Sequence, residues 1–140
     1  MTIIFTEPDR TAASHLGADL DRILELRPGR SGVALCNVAG TLPLFSTHFP
    51  RYPILPGVLM LESMAALAAA AAGGPWRLSS VRGLRFRQFV VPGDQVIITV
   101  DLLEHAGDTS RWKAEARVEG RLVASARSLE MSSVEPEARP

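Results

Sequence analysis

The sequence predicts an α+β domain in which an antiparallel sheet wraps one long central helix. Three observations predict it. Residues 57–72 (GVLMLESMAALAAAAA) are apolar almost all round the helical wheel, so the helix they form needs cover on most sides. The chain after Pro75 alternates apolar with polar residues and is cut by Pro-Gly, Gly-Asp and Glu-Gly steps, as strands joined by short turns are. The 140 residues are 46% hydrophobic, with no repeat and no linker-like stretch, which suits a single core.

Residues 1–17 carry no strong period and read as an N-terminal arm; 18–131 form the folded domain; 132–140 are a polar tail expected to fray. DLDRILEL (19–26) is either a short helical turn or the start of a strand, and Pro28-Gly29 marks a turn after it. GVALCNV (32–38) reads as a strand. Residues 40–56 are punctuated by proline and read mostly as loop. The helix follows over Gly57–Ala72: Pro56 stands where a first turn tolerates proline, and Gly73-Gly74-Pro75 stops it. LSSVRGLRFRQFVV (78–91) alternates in part, setting Leu84 and Phe86 against Arg85 and Arg87. VPGD (91–94) is a turn, QVIITVDLLEH (95–105) a strand and AGDTS (106–110) a second turn. Trp112, Ala114, Ala116 and Val118 then alternate with Lys113, Glu115 and Arg117, as a half-exposed strand requires, and Glu119-Gly120 turns tightly into RLVASARSLEM (121–131).

Composition excludes several classes of function. Fifteen basic and fifteen acidic residues give zero formal charge, which argues against a dedicated binder of nucleic acid or of an anionic membrane. The single Cys36 permits no intramolecular disulfide, and no basic-then-apolar leader opens the chain, so a cytoplasmic protein is expected. The apolar run 56–74 is near the minimum spanning length, rich in alanine and interrupted by Glu62, and reads as a buried helix rather than a membrane span.

The chemistry concentrates in HFPRYPILPGVLMLE (48–62). Glu62 is the only charged residue between Arg51 and Arg77. A carboxylate entering a buried helix alone is costly, because desolvation disfavours its ionised form, so it tends to stay protonated. A neutral carboxylic acid near His48 makes an acid/base pair. Pro50, Pro53 and Pro56 stiffen the segment that carries His48, and a stiff mount keeps a catalytic group in place. The N–H groups of Gly57 and Val58 open the helix without intrahelical acceptors, at the positive end of its dipole, and suit a carbonyl oxygen on which charge develops. A base, an acid and an oxyanion donor fit proton abstraction beside a carbonyl with loss or gain of water at the next carbon.

His48-Phe49-Pro50, Pro53-Ile54, Pro56-Gly57-Val58-Leu59 and Glu62 resemble the FabZ-type 3-hydroxyacyl-acyl-carrier-protein dehydratases of the hot-dog fold. The similarity extends over about 18–131: residues 20–38 resemble that family's first strands, 85–96 a later strand and turn, and the terminal hairpin also fits. The resemblance implies that His48 takes the α-proton, that Glu62 protonates the departing 3-hydroxyl, and that the Gly57 N–H polarises the thioester carbonyl. It implies a homodimer with sites at the interface, hexamers or a heterodimer with another hot-dog subunit being further options, and no cofactor or metal. The acyl group would arrive on the phosphopantetheine of an acidic carrier protein, with Arg51, Arg85 and Arg87 as candidate contacts; a solvated strand face is the plainer reading of the last two.

The chain departs from the family's pattern where Arg51 stands for the glycine of HFPG, where Thr47 replaces a usual glycine, and where Ala66 replaces a glutamine one turn after Glu62. The usual motif before Leu20 is also missing. These departures put a housekeeping role in fatty-acid elongation in doubt and make a specialised substrate, such as a polyketide or polyene chain, a serious option beside it. They keep open a non-catalytic or partner-dependent subunit, with a hot-dog thioesterase ranked lower. The remaining chemistry-bearing residues read plainly. His15 and His105 are surface residues, Cys36 is a small core residue, Trp76 and Trp112 pack, and the three histidines have no metal-ligand spacing.

Overall fold

The computed structural model describes residues 2–4, 20–38 and 57–134, the first three through their backbone. Among them the helix α1 (Gly57–Ala72) lies against one antiparallel sheet. The strands are β1 (Thr2–Ile4), β2 (Arg22–Arg27), β3 (Ser31–Asn37), β4 (Trp76–Arg82), β5 (Arg85–Phe86), β6 (Gln95–Ala106), β7 (Thr109–Val118) and β8 (Arg121–Ser133). Their order is β1-β4-β8-β7-β6-β3-β2, with β5 beside β8. This is the helix-in-sheet layout the pattern predicts. The segment 19–26 resolves as strand, pairing with β3 from Arg22 to Arg27. Thr2–Ile4, within the expected arm, pairs with Ser80–Arg82 of β4, and β8 runs to Ser133, inside the expected tail. Among the described residues no helix is long and apolar enough to cross a membrane.

The alternation predicted for 112–118 holds along β7: Trp112, Ala114, Ala116 and Val118 are buried, while Lys113 and Arg117 are exposed. Glu119 and Gly120 both take positive φ (51° and 80°), the geometry a two-residue hairpin needs to match strand twist. The turn expected over 106–110 shrinks to Gly107-Asp108, because Ala106 and Thr109 still pair across β6 and β7. In β8 strict alternation slips, with Val123-Ala124 and Ser128-Leu129 buried as neighbours. Two bulges on β8 in its ladder with β7 explain the slips, since each extra residue shifts the side-chain phase by one.

The expected strand over 78–91 breaks in two. β4 ends at Arg82, and the chain pairs again only at Arg85↔Ser125 and Phe86↔Ala124. The phase therefore does not carry across Gly83. Leu84 is buried, but Phe86, expected on the same face, is 47% exposed.

The core lies between α1 and the sheet. Leu59, Met60, Leu61, Met64 and Leu67 meet Val96, Ile98, Val100, Trp112 and Leu129, all nearly solvent-free. Ala114, Ala116, Ala124 and Ala126 line the middle strands, and their small size lets the helix sit close to the sheet. The C-terminal end of α1 is pinned at the β2–β3 turn, where the Gly29 N–H donates to the Ala71 carbonyl at 2.7 Å. Leu67 packs over Gly32, so α1 runs antiparallel to β3. Its N-terminus therefore points toward the Asn37 end of that strand.

Candidate active site

Glu62 sits on the half-open side of α1. Leu59, Met60, Leu61, Ser63, Met64, Leu67, Ala68 and Ala71 are buried. Val58 is 49% exposed, and Glu62, Ala65, Ala66 and Ala69 are intermediate. At helical spacing, residues 58, 62, 65 and 69 form one stripe, so the carboxyl is the single ionisable group on a small apolar face. Its Oε2 is buried and makes no hydrogen bond among the described residues. Burial pushes the Glu62 carboxyl above its ordinary value of 4.5. The physical cause is desolvation of the charged form, as expected from a lone carboxylate in this run. Ala66, one turn on, offers the carboxyl no side-chain donor.

Gly57 opens α1 about one and a half turns before Glu62, or about 7.5 Å along the axis. Its N–H is among the donors that have no acceptor within the helix. The ring of Phe86 lies against it: a Cβ built on Gly57 would stand 2.4 Å from the Phe86 Cζ and 2.7 Å from Cε1 and from Cε2. Phe86 (47%), Phe89 (76%) and Val58 (49%) are all exposed apolar side chains. Phe86 was missed because the period-two pattern assigned it to the core. Leu84 lies outside the strand and β5 is only two residues long, too short for a period of two to place Phe86.

Arg85 and Arg87 flank Phe86, and both are exposed. Neither makes an ion pair among the described residues, whereas Arg27, Arg111, Lys113 and Arg117 all do. His48 and Arg51, the remaining predicted site residues, lie outside the described residues, as do Thr47 and His15. The structure thus brings Glu62, Gly57 and Val58 together on one helix end. A cavity of about 520 Å³ opens elsewhere, lined by Asn37, Gln95, Ile97 and Glu119 among others. Its lining mixes Gln95 and Ile97 with the core residues Val38 and Val118, and Glu62 is not part of it.

Other candidates take structural roles. Cys36 is buried. Trp112 is buried with its Nε1 donating to Ser110 Oγ at 2.9 Å. Trp76 packs edge-on against exposed His105 at 5.8 Å between ring centroids.

A family model described as ApeI-like, ApeI dehydratase, matches residues 27–127. The chain is 38% identical over 116 residues to the 3-hydroxyacyl-acyl-carrier-protein dehydratase FabZ of Granulibacter bethesdensis, covering 76% of this chain and 68% of that one. It is 38% identical over 123 residues to the FabZ dehydratase of Bordetella pertussis, covering 79% and 82%. Among solved structures it is similar in fold to the dehydratase heterocomplex ApeI:P from Xenorhabdus doucetiae. That match has a TM-score of 0.69 at 16% identity and covers 84% of this chain and 83% of that one.

Proposed function

The chain belongs to the ApeI-like dehydratase family, and from that premise we propose that it removes water from 3-hydroxyacyl thioesters carried on acyl carrier protein, giving 2-enoyl thioesters in fatty-acid or polyketide biosynthesis. The observation that carries the reading is the half-buried Glu62 carboxyl, whose buried Oε2 makes no hydrogen bond among the described residues and whose pKa desolvation raises, on an otherwise apolar helix face. Such a group keeps its proton to higher pH than an ordinary carboxyl, which suits it to donate one.

In this reading His48 takes the α-proton, which the neighbouring thioester carbonyl makes acidic. Charge builds on the carbonyl oxygen and is met by the Gly57 N–H, with that of Val58 beside it. The electron pair forms the C2–C3 double bond as the C3–O bond breaks. Glu62 gives its proton to the departing hydroxyl, which leaves as water. His48 ends protonated and Glu62 ionised, and solvent exchange resets both. No cofactor or metal enters, because the thioester itself supplies the acidity.

The half-exposed stripe of Val58, Ala65, Ala66 and Ala69 supports a second subunit covering the site, in a homodimer of cytoplasmic chains. Pairing with a different hot-dog subunit is the alternative assembly; the similar Xenorhabdus dehydratase ApeI:P is a heterocomplex. Full activity of the isolated homo-oligomer would dismiss it. Arg85 and Arg87, exposed in a stretch from Trp76 to Val91 that contains no carboxylate, support a contact with an acidic carrier protein, and Arg51 is assigned to the same surface.

The test is mass spectrometry of a 3-hydroxyacyl carrier protein incubated with the wild-type chain and with Glu62→Gln. Loss of one water mass with wild type alone supports the reading. Loss of water by both variants removes Glu62 from it, and no loss with any acyl length removes dehydration.

A further inference from the structure

The Gly57–Phe86 contact has a geometry that neither partner's own fold requirement explains. Three ring atoms occupy the space that any Cβ at position 57 would need, at 2.4 and 2.7 Å. The ring cannot retreat by moving its backbone. Phe86 is paired to Ala124 of β8, and the next N–H, of Arg87, donates to the Val123 carbonyl at 2.8 Å. Yet the ring is 47% exposed, so it gives up little water for this contact and its outer side stays open. A phenyl ring held by a strand, touching the first peptide of a helix and otherwise facing outward, is poorly placed to build a core. It is well placed to fix and dry one peptide group.

That peptide carries a helix N-terminal N–H, which lacks an intrahelical acceptor. A donor of this kind stabilises developing charge best when it is preorganised and shielded from competing water. We propose that Phe86 is a positioning residue of the dehydration reaction, acting through Gly57: its ring holds the Gly57 peptide in place and keeps water from one side of it, in the space that Gly57 leaves open by having no Cβ, and a Cβ there would have to push the ring outward. The inference rests on the dehydratase reading and adds to it a residue outside the His48–Glu62 segment, supplied by β5.

The test is steady-state dehydration of 3-hydroxyacyl thioesters of acyl carrier protein, of several chain lengths, by wild type and by Phe86→Ala, Phe86→Leu, Gly57→Ala and the Gly57→Ala/Phe86→Ala pair. Melting temperatures, read alongside, confirm that each variant is folded. Phe86→Ala is expected to lower kcat roughly tenfold with KM nearly unchanged, the signature of a misplaced group rather than lost substrate binding. Phe86→Leu should recover most of that loss. Gly57→Ala alone should lower kcat further, but should cost nothing once the ring is gone, so that the pair matches Phe86→Ala. An active wild type whose Phe86→Ala variant keeps its kcat overturns the inference and leaves the dehydratase reading standing. So does a rise in KM alone, or a pair whose loss is the product of the two single losses. A wild type that releases no water overturns the dehydratase reading and this inference with it.

Discussion

The two faces of α1 are built from the same apolar alphabet and do different work. One face carries Leu59, Met60, Leu61, Met64 and Leu67, all buried against the sheet. The other carries Val58, Glu62, Ala65, Ala66 and Ala69, half-open and small. The first face fills volume. The second leaves room around one carboxyl that has no hydrogen-bond partner among the described residues. A helix that only stabilised the domain would place a solvent-facing polar stripe there. In the proposed mechanism the lone acid among alanines gives up stability for a proton-donating group, which is the usual relation between a site and its scaffold.

The largest expected effect breaks the chemical face alone. Glu62→Gln and His48→Ala should each lower dehydration by about 100- to 10,000-fold, the range typical of a lost general acid or base, while the melting temperature stays at or above wild type. Wild-type turnover by both variants would sink the assignment. The complementary change breaks only the packing face. Leu67→Ala should cost about 2–5 kcal/mol in denaturant unfolding, through lost transfer energy and the cavity left behind. Turnover per folded molecule should hold. If Leu67→Ala instead abolished turnover in a fully folded sample, the separation of the two faces would be wrong.

A smaller effect comes from the pH dependence of stability. Burial raises the folded-state pKa of Glu62 above its unfolded value, so the folded chain binds the proton more tightly. Well below the ordinary carboxylate range both states are protonated and Glu62 imposes no penalty. As pH rises from that unfolded value through the raised folded one, the folded state loses stability, and above both values the full cost of a buried carboxylate remains. Glu62→Gln has no such window. Thermal melts across the acid-to-neutral range should show the variant gaining on wild type as pH rises, with the two converging in acid. A variant that is less stable than wild type at neutral pH would mean that the carboxylate finds a partner when ionised.

Much of this was legible from local pattern. The bounds of α1 follow from Pro56 and the Gly73-Gly74-Pro75 stop, and the burial of β7 follows from its period of two. The buried setting of Glu62 follows from the absence of any other charge between Arg51 and Arg77. What escaped was non-local. The pairing of Thr2–Ile4 with Ser80–Arg82 joins residues nearly 80 positions apart, and three residues carry no periodic signal. All six residues of β2 are exposed, so no face of it was marked by burial and strand could not be separated from helical turn. The contact of Phe86 with Gly57 depends on where β5 restarts after Gly83, which alternation alone places wrongly. His48 and Arg51 lie outside the described residues, so their roles rest on the resemblance and on family membership.

The finest distinction concerns the open face itself, at Ala66. The family resemblance puts a glutamine there, one turn beyond the acid, and residues four apart on a helix are neighbours. Here the alanine offers no donor, and among the described residues Glu62 Oε2 has none. Ala66→Gln would bring an amide N–H within reach of the carboxyl. A donor stabilises the ionised form more than the neutral one, so the carboxyl pKa should fall. In the proposed mechanism Glu62 acts in its protonated form, so the alkaline limb of the kcat–pH profile should move to lower pH. The maximal rate and the melting temperature should change little, because the site is half-open and accommodates the longer side chain. A limb that stays in place would show that Glu62 is already partnered in the assembled enzyme, or that another group sets it. A limb that moves upward would show that the new amide accepts from the neutral acid instead. The first result ties this chain's departure from the family pattern to a change in working pH, and makes the empty position beside the acid a tuning element of the open face.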